Sequence, residues 1–107
     1  MTFDEYQLEV VRTAASTQGP LGLAVFGLGV AGEAGEVADL IKKVVGQGHE
    51  LDEDKLLKEL GDVLWYVTAI AERTGFSLAQ VAELNVKKLR KRYPDGFSEE
   101  ASKRRQE

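Results

Sequence analysis

Two pairs of carboxylates carry the chemistry open to this sequence: Glu33 with Glu36, and Glu59 with Asp62, each pair three positions apart. At about 100° per residue the members of a pair differ by roughly 60° and share one side of a helix. That side is not a solvent face. Phe26, Val30, Val37, Leu40 and Val44 fall in the sector of the first pair, with Leu40 between the two glutamates. The second pair runs with Tyr66 along one margin of an apolar arc made by Leu56, Leu60, Val63, Val67 and Ile70. Carboxylates drawn out of water need a cation, several hydrogen bonds or a proton. Either pair alone is an ordinary helical surface pattern. Two of them on apolar stripes of neighbouring helices make a site for a hard cation. Mg²⁺ takes oxygen ligands, keeps several waters and bridges to phosphate, which suits a donor set without nitrogen or sulfur.

Cations stand where phosphate charge would need them. Asn85, Lys88 and Arg92 share a sector with Leu78, Val81 and Leu89. Their polar ends can clamp a phosphate, or their stems can snorkel from the edge of the core. Lys43 lies two turns beyond Glu36 on nearly the same side, whereas Lys42 points away. Both also suit the C-terminal turn of a helix dipole. Gln7, inside a Phe3, Tyr6 and Val10 stripe, can offer its amide to a nucleobase or be a satisfied core glutamine. Trp65 points away from the apolar arc, as a subunit contact or a base-stacking wall.

Four helices must position these groups. Thr2 with Glu5 forms a capping box, and helix 1 is expected from about residue 3 to 16, before Gln18-Gly19-Pro20 breaks it. Helix 2 fills much of the apolar-rich segment up to Val45, where Gly46-Gln47-Gly48 ends it. Gly22, Gly27, Gly29 and Gly32 leave its start open, since they weaken a helix or let another backbone approach closely. Helix 3 runs from an Asp52 cap to Gly75, and helix 4 from the Ser77–Gln80 capping box to about Arg92, before Pro94. A short connection makes helices 2 and 3 antiparallel, gathering the four acids. Residues 1–97 form one domain, and 98–107 read as a solvated charged tail.

Composition narrows the field. The chain has 107 residues, no cysteine and one histidine, which excludes disulfides, thiolate metal sites and a cysteine nucleophile. A di-iron carboxylate bundle needs Glu-x-x-His on two helices, and His49 lies in the connection between helices 2 and 3. The net charge of −4 hides an asymmetry: residues 1–86 hold 6 Lys+Arg against 14 Asp+Glu, residues 87–107 hold 8 against 4. The acidic majority opposes duplex nucleic acid. Asp4 and Glu5 replace the basic start of a signal peptide, and the apolar stretch from Leu21 to Ala31 is too short to span a bilayer. A cytoplasmic protein without membrane contact is expected. An 11.8 kDa chain is near the size at which partner subunits complete the core.

Three segments carry a resemblance: Gly32-Glu33-Ala34-Gly35-Glu36-Val37-Ala38-Asp39-Leu40-Ile41-Lys42-Lys43; Glu59-Leu60-Gly61-Asp62-Val63-Leu64-Trp65-Tyr66; and Asn85 through Lys88-Leu89 to Arg92-Tyr93-Pro94. The chain resembles the MazG-like nucleoside triphosphate pyrophosphohydrolases of the all-α NTP pyrophosphatase superfamily, from helix 1 to Phe97. The resemblance implies an all-α, four-helix MazG-like bundle completed by oligomerisation into a homodimer or homotetramer. It implies Mg²⁺, with Mn²⁺ as a substitute, held by Glu33, Glu36, Glu59 and Asp62. The implied reaction cleaves a nucleoside triphosphate between the α- and β-phosphates, giving monophosphate and pyrophosphate, in a house-cleaning role. Tyr66, Asn85, Lys88 and Arg92 fall in the family's substrate-contact region. In-line attack by water needs no protein nucleophile, and Glu33 or Glu36 is the expected proton acceptor. The rival is a catalytically silent bundle that binds nucleotides or proteins, with Lys103 to Arg105 as its contact.

Overall fold

The computed structural model describes residues 1–14 and 19–105, and among them every regular element is helical: α1 (Phe3–Thr13), α2 (Gly19–Gln47), α3 (Glu53–Arg73), α4 (Leu78–Arg92) and α5 (Glu99–Lys103). The caps explain the starts. Thr2 Oγ1 accepts the Glu5 N–H at 3.1 Å while the Thr2 N–H donates to the Glu5 carboxylate at 2.9 Å, and Ser77 with Gln80 repeats the box. Asp52 accepts the Lys55 N–H at the head of α3. At its other end Gly75 is left-handed (φ 89°), and the Phe76 N–H returns to the Ala71 carbonyl at 2.8 Å, a Schellman closure.

Three segments bear on the expected ends. Ala14 caps α1, and the expected continuation to residue 16 and the break at Gln18 lie outside the described residues. The glycine-rich start of α2 is helical throughout: Gly19 turns left-handed (φ 72°), and Pro20 with its fixed φ fits the first turn. Gly and Ala prolong the uncharged run, so α2 is long and apolar enough to cross a membrane, which the stretch from Leu21 to Ala31 alone is not. A core helix passes the same test. Within the charged tail the Ser98 hydroxyl accepts the Ala101 N–H at 3.0 Å and caps the short α5, whose charged residues stay exposed.

The core is small. Val10, Phe26 and Ala69 form its buried centre, with Tyr6, Ala14, Trp65, Tyr66 and Ile70 packed around them. The rings meet edge to face, Phe26 to Trp65 at 5.6 Å and Trp65 to Tyr66 at 5.0 Å between centroids, an arrangement favoured by the ring quadrupoles. Trp65 therefore does not point away from the core. Its indole N–H donates to Thr13 Oγ1 at 2.8 Å, tying α3 to α1. The face of α3 turned inward is centred on Thr68 and Ala69, while Leu60 on the expected arc is exposed.

Gln7 stitches α1 to the turn before α4. Its side-chain carbonyl accepts the buried Leu78 N–H at 2.7 Å, and its amide donates to the Phe76 carbonyl at 3.1 Å and to Glu72. The amide is thus occupied inside the fold, and the core-glutamine alternative describes it better than an offer to a nucleobase. Replacing Gln7 by Met keeps the volume but leaves the Leu78 N–H without an acceptor. We expect Gln7→Met to lower unfolding stability by about 2–3 kcal/mol in urea titration, with little change in substrate KM.

Candidate metal centre

α2 and α3 run antiparallel, and their register sets the site. Gly29 meets the Tyr66 ring; one turn further along each helix Glu33 comes opposite Asp62, and a further turn brings Glu36 level with Glu59. Carboxylate oxygens of Glu33, Glu59 and Asp62 all lie within 4.8 Å of one another. Glu33 and Glu59 are half-buried and Asp62 is exposed, so the cluster sits at the bundle's edge, open on one side. Three convergent oxygen donors from two helices, with room for water, fit a hard divalent cation.

The electrostatics agree. The Glu33 carboxyl is held above the usual glutamate range, first by a hydrogen bond shared with Glu59, then by its partial burial and by the charges of Asp62, Glu59 and Glu36. A proton between Glu33 and Glu59 does there what a cation would do, which is to cancel like charge. Glu36 is exposed and stands outside the convergent trio, near enough for its charge to act on Glu33. The structure thus brings together three of the four acids singled out by spacing and leaves the fourth at the rim.

Other expected groups lie at varying distances from this centre. Lys43 is engaged by Asp39 at 2.9 Å, and Lys42 reaches the same carboxylate at 3.3 Å. Asp39 holds the Lys43 ammonium above its ordinary pKa, with a further contribution from Glu36. Tyr66 is packed between Trp65 and Gly29, one turn from Asp62. Asn85 and Lys88 are exposed, lining an open hollow of about 800 Å³ with Phe76, Leu78, Val81 and Leu84. The Arg92 guanidinium lies 5.8 Å from the Tyr93 ring centroid. Within one chain, α4 does not carry Asn85 and Lys88 into the carboxylate cluster: its apolar residues Val81, Leu84, Val86 and Leu89 are themselves exposed. His49 is exposed in the α2–α3 connection.

One participant is not signalled by the sequence, and a second is signalled without its partner. The Tyr6 phenol is pushed above its ordinary pKa by burial and then by the Asp62 charge, so α1 contributes a hydroxyl to the neighbourhood of the cluster. Tyr6 belongs to the Phe3, Tyr6 and Val10 stripe, and that stripe alone signals only core. Gly29 is the second, and its role depends on a neighbour that periodicity does not reveal.

Residues 25–97, from the first half of α2 to Phe97 and including all four acids, match the family described as the MazG nucleotide pyrophosphohydrolase domain. The Gene 37 protein of Mycobacterium phage L5 is 38% identical over 79 residues, which is 70% of this chain and 69% of that protein. No solved structure matches. With an all-helical fold, paired acids on adjacent helices and a domain match across most of its length, the chain belongs to the MazG nucleotide pyrophosphohydrolase family.

Proposed function

We propose that the protein hydrolyses nucleoside triphosphates between the α- and β-phosphates, releasing nucleoside monophosphate and pyrophosphate, with Mg²⁺ or Mn²⁺ held by Glu33, Glu59 and Asp62. The observation that carries this reading is the convergence of those three carboxylates from two helices at an open edge of the bundle. When bound, a divalent ion supplies charge neutralisation at the phosphate oxygens and acidifies water in its shell. Glu36, exposed beside the trio, is the carboxylate free to take the proton of the attacking water. Water adds across the anhydride: its oxygen bonds to phosphorus, the bridging oxygen leaves with its electron pair, and one proton goes to Glu36. Asp39 orients Lys43 on the same side of α2, within reach of phosphate charge beyond the carboxylates.

The working unit in this proposal is a homo-oligomer. A chain of 11.8 kDa is expected to expose about 5,900 Å² when compact, and this one exposes 8026 Å². Its radius of gyration is 16.7 Å, against about 13 Å for a compact domain of this length. The surplus of roughly 2,100 Å² per chain is what an obligate subunit interface covers. Leu21, Val25 and Leu28 on α2 and Val81, Leu84 and Leu89 on α4 supply exposed apolar surface. A second copy seated there brings the Asn85, Lys88 and Arg92 face of α4 within the assembled site.

Incubation with a panel of ribo- and deoxyribonucleoside triphosphates and Mg²⁺, with products resolved by ion exchange, tests the reaction. Equimolar monophosphate and pyrophosphate is the expected result. Diphosphate with inorganic phosphate, or no turnover of any nucleotide by folded protein, would contradict it.

A further inference from the structure

The approach of α2 to α3 one turn below the carboxylates depends on a single missing side chain. A methyl group built on Gly29 would overlap the Tyr66 ring at three of its carbons, whereas one on Gly27, Gly32, Gly35 or Gly61 would meet nothing within 4 Å. Gly29 is therefore the helical glycine, of these five, whose bare Cα is used for packing. The ring cannot retreat easily, because its other side is held by Trp65 at 5.0 Å and Phe26 at 6.4 Å between centroids, and Phe26 is among the most buried residues. A methyl at position 29 must then push α2 from α3 or swing Tyr66 out of the aromatic cluster.

Glu33 follows Gly29 by one turn, and Asp62 precedes Tyr66 by one turn, so this contact lies one turn from two members of the acid trio. We infer that Gly29 is a positioning residue for the metal centre. By letting the Tyr66 ring lie against α2, it fixes the helix separation at which Glu33 reaches Glu59 and Asp62. The inference rests on the proposed metal reading and goes beyond it by naming what sets the spacing of the ligands. Gly29 itself touches neither cation nor nucleotide.

The test is Mn²⁺ binding by titration calorimetry, with emission from Trp65, the only tryptophan, read on the same samples. Gly29→Ala is expected to weaken Mn²⁺ binding by about 10–100-fold, as loss of a residue supporting metal ligands does, and to shift Trp65 emission. Gly35→Ala, on another side of α2, leaves both near wild type and controls for helix propensity. Tyr66→Leu removes the obstructing ring, so the Gly29→Ala, Tyr66→Leu double variant binds Mn²⁺ within about threefold of Tyr66→Leu alone, the non-additivity expected of residues in contact. That comparison also holds where Gly29→Ala alone fails to fold. Gly29→Ala binding as tightly as wild type, or a double variant much weaker than Tyr66→Leu, would overturn the role of Gly29 while leaving the metal reading intact. Wild-type protein that binds no Mn²⁺ would overturn the metal reading itself.

Discussion

Asp62→Asn is expected to abolish the proposed divalent-dependent nucleotide hydrolysis, with kcat/KM falling on the order of 10³-fold, about 4 kcal/mol of transition-state stabilisation. The helices remain, because Asp62 is exposed and forms no part of the buried core. Circular dichroism near wild type together with lost turnover is therefore the expected pair of results. Glu33→Gln shows the same loss and adds a sign. The Glu33 carboxyl is raised above its ordinary value by Glu59, by burial and by neighbouring charge, so the folded state binds its proton more tightly than the unfolded chain. The stability this contributes is complete below the unfolded pKa and is lost as pH rises through the folded one. Without divalent ions, Glu33→Gln consequently melts above wild type at pH 8, and the gap closes towards pH 4. Wild type is expected to show the converse for the proposed cation: a divalent ion bound there must displace that proton, so apparent Mn²⁺ affinity should rise with pH and level off once Glu33 is ionised. Full activity in Asp62→Asn, or a melting gap that widens as pH falls, would remove the site assignment.

The second large effect is on assembly. Leu28→Asp is expected to dissociate the oligomer by at least about 10³-fold in Kd, since each of two copies loses roughly 2 kcal/mol of burial and gains a desolvated charge. Leu28 is 75% exposed in the single chain, so the substitution removes little intrachain packing, and secondary structure is expected to stay intact. Sedimentation velocity reads the change directly, and activity is expected to fall with it if, as proposed, one copy's α4 face completes the other's site. A wild-type chain that sediments as a monomer at micromolar concentration would contradict the assembly proposal.

Much of the fold and of the acid cluster is legible in the sequence. The two capping boxes, the Asp52 cap and the Gly75 closure each depend on residues three to five positions apart, and these local rules placed the ends of α3 and the starts of α1 and α4 where they are found. The carboxylate pairs were legible for the same reason, since an angle around one helix follows from spacing alone. Trp65 was misplaced because the angular position of a residue does not say which side of the helix its neighbours cover. α3 turns Thr68 and Ala69 inward, small residues that allow close approach, and leaves part of its leucine arc outside. Tyr6 was missed, and Gly29 was only one of four glycines open to a close approach, because each acts across helices. Whether a stripe residue meets Asp62, or a glycine meets a ring, depends on interhelical register, which periodicity does not encode. α5 was legible in principle: Ser98 followed by Glu99 and Glu100 is a capping signal hidden in a charged tail.

The most direct measurement is anomalous diffraction from crystals soaked with Mn²⁺ and a triphosphate whose α–β bridge is an imido group. The account predicts an anomalous peak in contact with carboxylate oxygens of Glu33, Glu59 and Asp62, with the phosphates on its open side. A peak elsewhere on the protein, or none with those side chains turned to solvent, would contradict it.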